Sequence, residues 1–507
     1  MNKATYLSIF LFIISHVVCS QSIDDYLSSE KMLKDFELFK SIRLEANSGL
    51  FKYRTKQQID SIYNWAKKEI KKSSSYREFY NIISQLTDFE GSLHNDTYLP
   101  KRMSQSFKNE KEGYFPLPLK WVDKKWIINF DKGEIPLGAE IVCINNENIE
   151  DIVKNLYKYY TTDGINVTGK RIGIERSFSR YYRLNYGLVN QFNITYKLRD
   201  SNEIKKTILE STSYIGFYKR VFKRYSKPFD ETNYKDWQES EIYHYKTLDK
   251  HTGILTVNNF GLGNEKDPRN LRYVTFLDSV FTNIKEHNIK NLIVDVRYNG
   301  GGDDPNDLIT YSYLTNRNFS ENKEAWISFN KIPYLKYNSN KSLPYLIKLI
   351  AVGKYNGQIQ KEFPKEVNGK FYQDSTSDDH KIRTPNKNAF NGKIYLLVSP
   401  RVASAGSLFA AMVASNKNTI VIGEETMGGY YGHNGHNNLS YKLPKSKLEI
   451  SFSMVNLEQD VLEKPNQIYN RGIIPDYNVT QTFEHYLNHK DTQMNFVLKL
   501  IKKDLNK

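Results

Sequence analysis

Cysteine is almost absent from this sequence of 507 residues, which contains two. Cys19 lies near the amino terminus, and Cys143 lies in EIVCINN, where apolar residues surround it as they would in a buried strand. Two such cysteines exclude a disulfide framework, and nothing near Cys143 would activate a thiol for catalysis. The fold must therefore be stabilised by its apolar core.

Long apolar runs are missing after the first twenty residues. The start, MNKATYLSIFLFIISHVVCSQS, has a lysine, an apolar stretch of about 14 residues and then small residues, which is typical of a secretory signal. Cleavage after Ser20 predicts a signal peptide of residues 1–20 and a periplasmic or extracellular protein with no transmembrane segment. Lipidation of Cys19 is the alternative, but Val18 before it fits a lipoprotein signal poorly.

A concentrated basic patch is also missing. The formal charge is +15, but the lysines are scattered among Asn, Ile and Tyr along the whole chain, and we find no nucleic-acid-binding motif. We therefore expect no nucleic-acid partner. A hydrophobic content of 39% with 14% aromatics predicts a folded protein, and the length allows two or three domains.

Three kinds of pattern follow one another along the chain. Residues 21–105 contain three stretches with helical periodicity, capped at Thr55 and Ser75, and end in the polar loop EGSLHNDTYLP. Residues 106–211 predict a small mixed domain of strands and a helix. In residues 212–485, continuous apolar strands alternate with helices, which predicts a mainly parallel sheet covered on both faces. Residues 486–507 predict a closing helix.

Two strand ends carry the chemistry in that last region. One strand ends in VDVRYNGGG, and another ends in LLVSPRVASAG just before a helix. Because the carboxyl ends of parallel strands meet at one edge, a glycine loop and a serine turn are predicted to lie together. Backbone N–H groups of such a loop and a helix N-terminus suit a developing oxyanion. Taken alone, Ser404 would only be a helix N-cap.

These motifs resemble the C-terminal processing (tail-specific) serine proteases, including their tricorn-like branch. LIVDVRYNGGG resembles the family's Asp-Leu-Arg-x-Asn-x-Gly-Gly strand, and VASAGSLFA resembles its nucleophile turn with Ser404 as the nucleophile. VIGEETMGG and NRGIIPDYNV match two later signatures in order. IPLGAEIVCINNENIEDIVKNL resembles a PDZ-type domain. The resemblance implies mixed α/β architecture, with a helical lead-in, a PDZ-like α+β domain and a protease core.

The family contains two ways of activating the serine. The Ser-Lys branch places a lysine about 25 residues after the serine, where this sequence has Gly429 and no lysine between Lys417 and Lys442. The tricorn-like branch uses a histidine from the loop before the PDZ-like region, and His94 stands at that point. A neutral imidazole can accept a serine proton near neutral pH. We therefore expect Ser404 and His94 to act together.

The remaining site residues are implied by the resemblance or left open. It implies an oxyanion hole formed by the backbone N–H groups of Gly301 and Ala405. The supporting glutamate of the tricorn-like branch is replaced by Tyr469. The acid that would orient His94 has four unranked candidates: Asp88, Glu90, Asp96 and Glu424.

Metal and cofactor chemistry is not expected. His433 and His436 in GHNGH have no nearby third ligand in sequence, so we expect them to face solvent or line the substrate cleft. Asp303 and Asp304 are predicted to cap the helix that follows them, and Asp295 and Arg297 to pair structurally. The insertion at about 320–385 is either a wall of the cleft or surface padding.

The sequence thus predicts an exported serine endopeptidase that acts on polypeptides. The PDZ-like domain is expected to hold the substrate polypeptide. Departures around His94 (Ser92, Leu93 and Asn95), together with Ser407 and Tyr469, support an alternative: a catalytically inactive peptide-binding protein on the same fold. Hydrolysis of a non-peptide ester or amide would use the same pair of residues. The sequence does not determine the natural substrate or the oligomeric state.

Overall fold

A computed structural model describes residues 22–201, 203–225, 237–340 and 343–505. The predicted signal peptide, with Cys19 and the cleavage position at Ser20, lies outside the described residues. Within the described ranges, no helix combines the length and apolar character needed to cross a bilayer.

The first part of the described chain is helical, as the sequence predicts. Its helices are α1 (Ser29–Ala46), α2 (Lys56–Lys72) and α3 (Tyr76–Phe89). Thr55 and Ser75 each begin a helix with a reciprocal capping box, which satisfies two backbone N–H groups at the helix start. The buried faces of the three helices pack together, and α3 leads directly into the loop that carries His94.

A second unit is built around an antiparallel sheet with strand order β2-β3-β4-β6-β7. This part of the chain forms β1 (Asp96–Tyr98), α4 (Lys101–Ser106), β2 (Leu119–Val122), β3 (Lys125–Ile128), β4 (Glu140–Ile144), β5 (Glu147–Asn148), α5 (Ile149–Leu156), α6 (Lys170–Tyr186), β6 (Gln191–Lys197), β7 (Ile204–Glu210) and α7 (Tyr214–Phe222). The sequence patterns predicted β3, β4, α5, β6 and β7, but not α6. Its polar residues are interspersed with aromatics, which obscures the helical period.

The rest of the chain forms two further sheets and their covering helices. Its elements are α8 (Glu239–Ile242), β8 (Tyr243–Asp249), β9 (Thr252–Val257), α9 (Pro268–Glu286), β10 (Asn291–Asp295), α10 (Asn306–Ser312), β11 (Asn322–Ile327), α11 (Tyr345–Glu362), β12 (Lys365–Val367), β13 (Lys370–Tyr372), β14 (Lys393–Val398), α12 (Ala405–Ser415), β15 (Thr419–Gly423), β16 (Asn434–Lys442), β17 (Glu449–Gln459), β18 (Tyr477–Asn478), α13 (Phe483–Leu487) and α14 (Thr492–Leu505).

The central sheet of this region has the order β18-β15-β14-β10-β9-β8. Strands β18, β15, β14, β10 and β9 run parallel to one another. Strand β8 pairs with β9 in the antiparallel direction at one edge. Apolar side chains of α9, α10 and α12 cover one face, and those of α14 cover the other. The predicted fold class, mixed α/β with a mainly parallel sheet, is confirmed.

The insertion at about 320–385 contributes strands to another sheet. Strands β11, β12 and β13 join β17 in the order β1-β17-β11-β13-β12, and β16 also pairs with β17. Strand β1, which follows His94 within two residues, pairs with residues 449–451 of β17. The histidine loop is therefore connected directly to this sheet.

Arg297 joins the end of β10 to the start of α14. Its guanidinium contacts Asp295 and Asp491, with Nη2 lying 2.7 Å from an Oδ2 atom of each. The predicted pairing of Asp295 with Arg297 is confirmed. The predicted single closing helix is wrong: it is broken before Thr492, where His489 adopts φ 52° and Asp491 turns to Arg297. Asp491 then accepts a hydrogen bond from the N–H of Met494.

We expect Arg297→Gln to lower the free energy of unfolding by about 3 kcal/mol, because it leaves two largely buried carboxylates without their cation. Urea unfolding followed by circular dichroism measures this. Arg269→Gln is the control, since Arg269 pairs with Asp267 at an exposed position and should change stability by less than about 1 kcal/mol. Equal effects of the two substitutions would contradict the assignment.

Candidate active site

Ser404 occupies the turn between β14 and α12. Its backbone has φ 52° and ψ −135°, a strained conformation for a residue with a Cβ, and its side chain makes no capping hydrogen bond to the helix. The simple N-cap interpretation is therefore wrong for this serine. Ser407, one turn later, donates its hydroxyl to the carbonyl of Ser404 at 2.8 Å, so Ser404 is the hydroxyl left available.

The glycine loop after β10 packs directly against this turn. A Cβ added at Gly301, whose φ is 110°, would lie 2.8 Å from the Cβ of Ser404 and 3.2 Å from the N atom of Ala405. Ala405 is the first residue of α12, so its N–H has no acceptor within the helix. The N–H of Gly301 donates to Oδ1 of Asn299 at 3.0 Å, and it would have to leave that acceptor to contact a ligand.

His94 lies in the loop after α3, and buried Asp163 connects that loop to the turn at Gly429. Oδ1 of Asp163 accepts the N–H of Leu93, and Oδ2 accepts the N–H of Gly429, both at 3.0 Å. The turn at Gly429 is in turn bonded to the serine turn, because the N–H of Gly428 donates to the carbonyl of Val402 at 3.2 Å. Three segments distant in sequence are thus held together around one carboxylate.

A second imidazole accompanies His94. The ring centroids of His94 and His433 are 5.4 Å apart, and the ring planes meet at 52°. Burial lowers the pKa of His94 to about 4, and the charge of His436 lowers it further. Burial also lowers the pKa of His433 well below its usual value, with the charges of His94 and His436 acting in the same direction. Both rings of the pair are therefore neutral near pH 7.

Of the two alternatives that the sequence left for His433 and His436, exposure to solvent is wrong, and lining of the substrate cleft stays a prediction. His433 is buried and His436 lies in a partly buried cluster with Glu321 and Asp379. Asp303 likewise does not cap α10: its Oδ2 accepts the N–H of Gly263 at 3.0 Å, and α10 begins without a side-chain cap.

Residues 251–479 match the model of Peptidase family S41. These residues belong to peptidase family S41. The match includes the glycine loop, the serine turn and His433, and the protein is accordingly a serine-type peptidase. His94 and Asp163 lie outside the matched residues.

Solved structures support the same fold over nearly the whole chain. Mature CPAF in complex with lactacystin has a TM-score of 0.56 and 11% sequence identity, and the alignment covers 94% of this chain and 99% of that one. A crystal structure of a CPAF mutant gives a TM-score of 0.57 and 11% identity, covering 91% of this chain and 94% of that one. A comparison with curated protein sequences found no match.

Three of the four acidic candidates for orienting the histidine have other partners. The carboxylate of Asp88 pairs with Lys170, and that of Asp96 accepts the hydroxyl of Tyr98 at 2.8 Å. Glu90 is buried beside Arg43, with their charged atoms 3.2 Å apart, and accepts hydrogen bonds from Asn47 and Asn95. None of these carboxylates hydrogen-bonds to His94 within the described ranges.

Glu424, the fourth candidate, lines a cavity of about 160 Å³ between the S41 domain and the antiparallel sheet of the second unit. Arg171, Lys120 and Glu175 line the same cavity, as do residues 399–401 at the start of the serine turn. Burial raises the pKa of Glu424 to about 7. Neither Ser404 nor His94 lines this cavity, so the structure does not bring Glu424 to the histidine.

Asp163 is the positioning residue that the sequence analysis missed. It lies in TTDGINVTG, where an Asp-Gly pair usually indicates an exposed turn, and only the tertiary structure reveals that the carboxylate is buried. His433 was considered but not placed beside His94, because the contact joins residues 339 positions apart.

We expect Asp163→Asn to loosen the histidine loop, because an amide has one acceptor oxygen and cannot accept both backbone N–H groups in the same geometry. Hydrogen–deuterium exchange should show amide exchange about tenfold or more faster at Leu93 and Gly429. Asp278→Asn, on the surface of α9, is the control. Unchanged protection of both amides would show that Asp163 does not hold the loop.

Proposed function

We propose that this S41 peptidase is an exported endopeptidase in which Ser404 is the nucleophile and His94 is the general base. The main support is the strained backbone of Ser404 at the head of α12, with Gly301 in contact and the side chain free of any capping role. Export is inferred from residues 1–20.

In the proposed reaction, the hydroxyl oxygen of Ser404 forms a bond to the peptide carbonyl carbon while His94 accepts the hydroxyl proton. The N–H of Ala405, together with that of Gly301 after it releases Asn299, stabilises the oxyanion. His94 then gives the proton to the departing amine as the C–N bond breaks. Water hydrolyses the resulting ester by the same route.

His433 takes the place of the missing acid in this proposal. Its ring is buried against His94, and its Nδ1 has no hydrogen-bond partner in the described structure. The unprotonated nitrogen of a neutral imidazole can accept a hydrogen bond from the N–H of a neighbouring imidazolium, which would orient that ring and stabilise its charged form. It does so less strongly than a carboxylate, and none of the four acidic candidates hydrogen-bonds to His94 in the described residues.

The second unit is proposed to hold the polypeptide substrate as a PDZ-like domain of residues 106–211. Support comes from its sheet with α5 and α6 and from its contact with the S41 domain across the shared cavity. The proposed domain boundaries are otherwise those of the sequence: the helical segment 21–105, the core 212–485 and the closing segment 486–507.

A fluorophosphonate probe tests the nucleophile on purified residues 21–507. We expect one adduct, located on Ser404 by peptide mass spectrometry, because only an activated serine reacts readily with this reagent. Ser404→Ala should abolish labelling, and His94→Ala should slow it by about 100-fold or more.

Ser415→Ala is the matched control, since Ser415 lies at the far end of the same helix and donates its hydroxyl to the carbonyl of Met412. It should label at the wild-type rate. An adduct on another serine would contradict the assignment of the nucleophile. No adduct in folded protein would favour the non-catalytic peptide-binding alternative.

The pH dependence tests His94 as the base. Only its neutral form accepts the serine proton, so activity falls as the pH drops through the pKa of His94. Because burial depresses that pKa to about 4, we expect half-maximal kcat/KM well below pH 6.5. His433→Gln should admit water to the site and move the midpoint upward. A wild-type midpoint at about pH 6.5 would contradict a buried His94 base.

A further inference from the structure

A cluster of metal-ligating side chains lies outside the serine site. One ligand atom from each of Glu321, Asp379 and His436 falls within 4.8 Å of the others. Glu321 immediately precedes β11, Asp379 belongs to the insertion, and His436 lies on β16. Three segments that are separate in sequence therefore direct oxygen and nitrogen donors to one place.

The donors of this cluster are not satisfied by one another. Glu321 is fully buried, and neither of its carboxylate oxygens has a hydrogen-bond partner in the described structure. Nε2 of His436 lies 3.2 Å from Oε1 of Glu321 but not in hydrogen-bonding geometry. Nδ1 of His436 lies 3.8 Å from Oδ2 of Asp379. A buried carboxylate that accepts no hydrogen bond is costly even with an imidazole 3.2 Å away, so a bound cation would stabilise this arrangement.

The charge around the cluster is also unbalanced. Asp307 is fully buried with both oxygens lacking hydrogen bonds, and Asp304 lies within electrostatic reach of it and of His436. Glu362 lies within electrostatic reach of His436 and Asp379 as well, and Arg383 lies within reach of Asp304. With Glu321 and Asp379, five carboxyl groups thus surround one imidazole and one guanidinium. Even a protonated His436 would neutralise one of them, whereas a divalent ion supplies two further charges.

We propose that Glu321, Asp379 and His436 bind one divalent transition-metal ion of the zinc or manganese type. Imidazole nitrogen with carboxylate oxygens is a ligand set suited to these ions. Calcium and magnesium prefer oxygen ligands alone, so the histidine disfavours them.

The surroundings of the ligands resemble a supported metal site. Nε2 of Gln373 donates to Oδ2 of Asp379 at 3.2 Å, and Oε1 of Gln373 accepts from Asn322 at 3.2 Å, which orients the carboxylate. His436 lies in an irregularity of β16 between Gly435 and Asn438, with φ 49°. Such bulges redirect a side chain from the regular alternation of a strand.

The ion would connect the insertion to β16, which begins directly after His433, and His436 follows His433 by three positions. Metal binding would then fix a segment next to the proposed base. The binding itself depends only on the three ligands and not on the proposed catalytic pair.

Titration of untagged, EDTA-stripped residues 21–507 with ZnCl₂ and separately with MnCl₂, by isothermal calorimetry, tests the proposal. We expect one ion per chain for at least one of the two metals. With CoCl₂ as a spectroscopic probe, we expect visible d–d absorption and a higher Tm in the wild-type protein. Glu321→Gln and His436→Asn should each weaken binding by about 100-fold or more.

Glu366→Gln and His287→Asn are the matched controls, since both side chains are exposed and lie outside the cluster. They should bind the metal as the wild type does. Absence of saturable binding in the wild-type protein, or equal affinity in the cluster and control variants, would overturn the proposal. If a cluster variant does not fold, the wild-type protein alone tests the proposal. One bound ion per chain with d–d absorption would support it, and the absence of both would overturn it.

Discussion

The close contact between two strand ends determines the rest of the site. The glycine loop after β10 and the serine turn after β14 approach so closely that a Cβ at Gly301 or Gly406 would overlap the facing segment. The approach is possible because β10 and β14 are adjacent and parallel, with Asn291 paired to Lys393. Because glycines stand where the two segments meet, no side chain separates them. Their backbone N–H groups and the hydroxyl of Ser404 therefore lie close together.

Burial determines which side chains of the site carry a charge. The imidazoles of His94 and His433 are enclosed by protein, which favours their neutral forms, while the neighbouring cluster at Glu321 concentrates negative charge. The two environments are connected through His436, whose charge acts on both rings. Two neutral imidazoles and a nearby acidic cluster therefore lie close together, because His433 directly precedes β16 and His436 lies on it.

The sequence predicts those parts of the molecule that depend on local signals. The structure contains the predicted helix caps at Thr55 and Ser75. It also contains the predicted apolar strands before and after the helix that Ser404 precedes. Both features are encoded by residues close together in sequence. The positions of His94 and Ser404 came from motifs. The contacts of Asp163 and of the cluster at Glu321 join residues that are far apart in sequence, from 57 to 266 positions, and no periodicity encodes them. Helix α11 was missed because its apolar residues are largely exposed and two glycines interrupt its pattern.

Strand β17 has a consequence for motion within the molecule. Along one edge it bonds to β16, and along the other it bonds to β1 at residues 449–451 and to β11 at residues 456–459. The segments that follow His94, precede His436 and follow Glu321 thus share one strand as their common support. A displacement of β17 would therefore act on the histidine loop and on the acidic cluster at the same time.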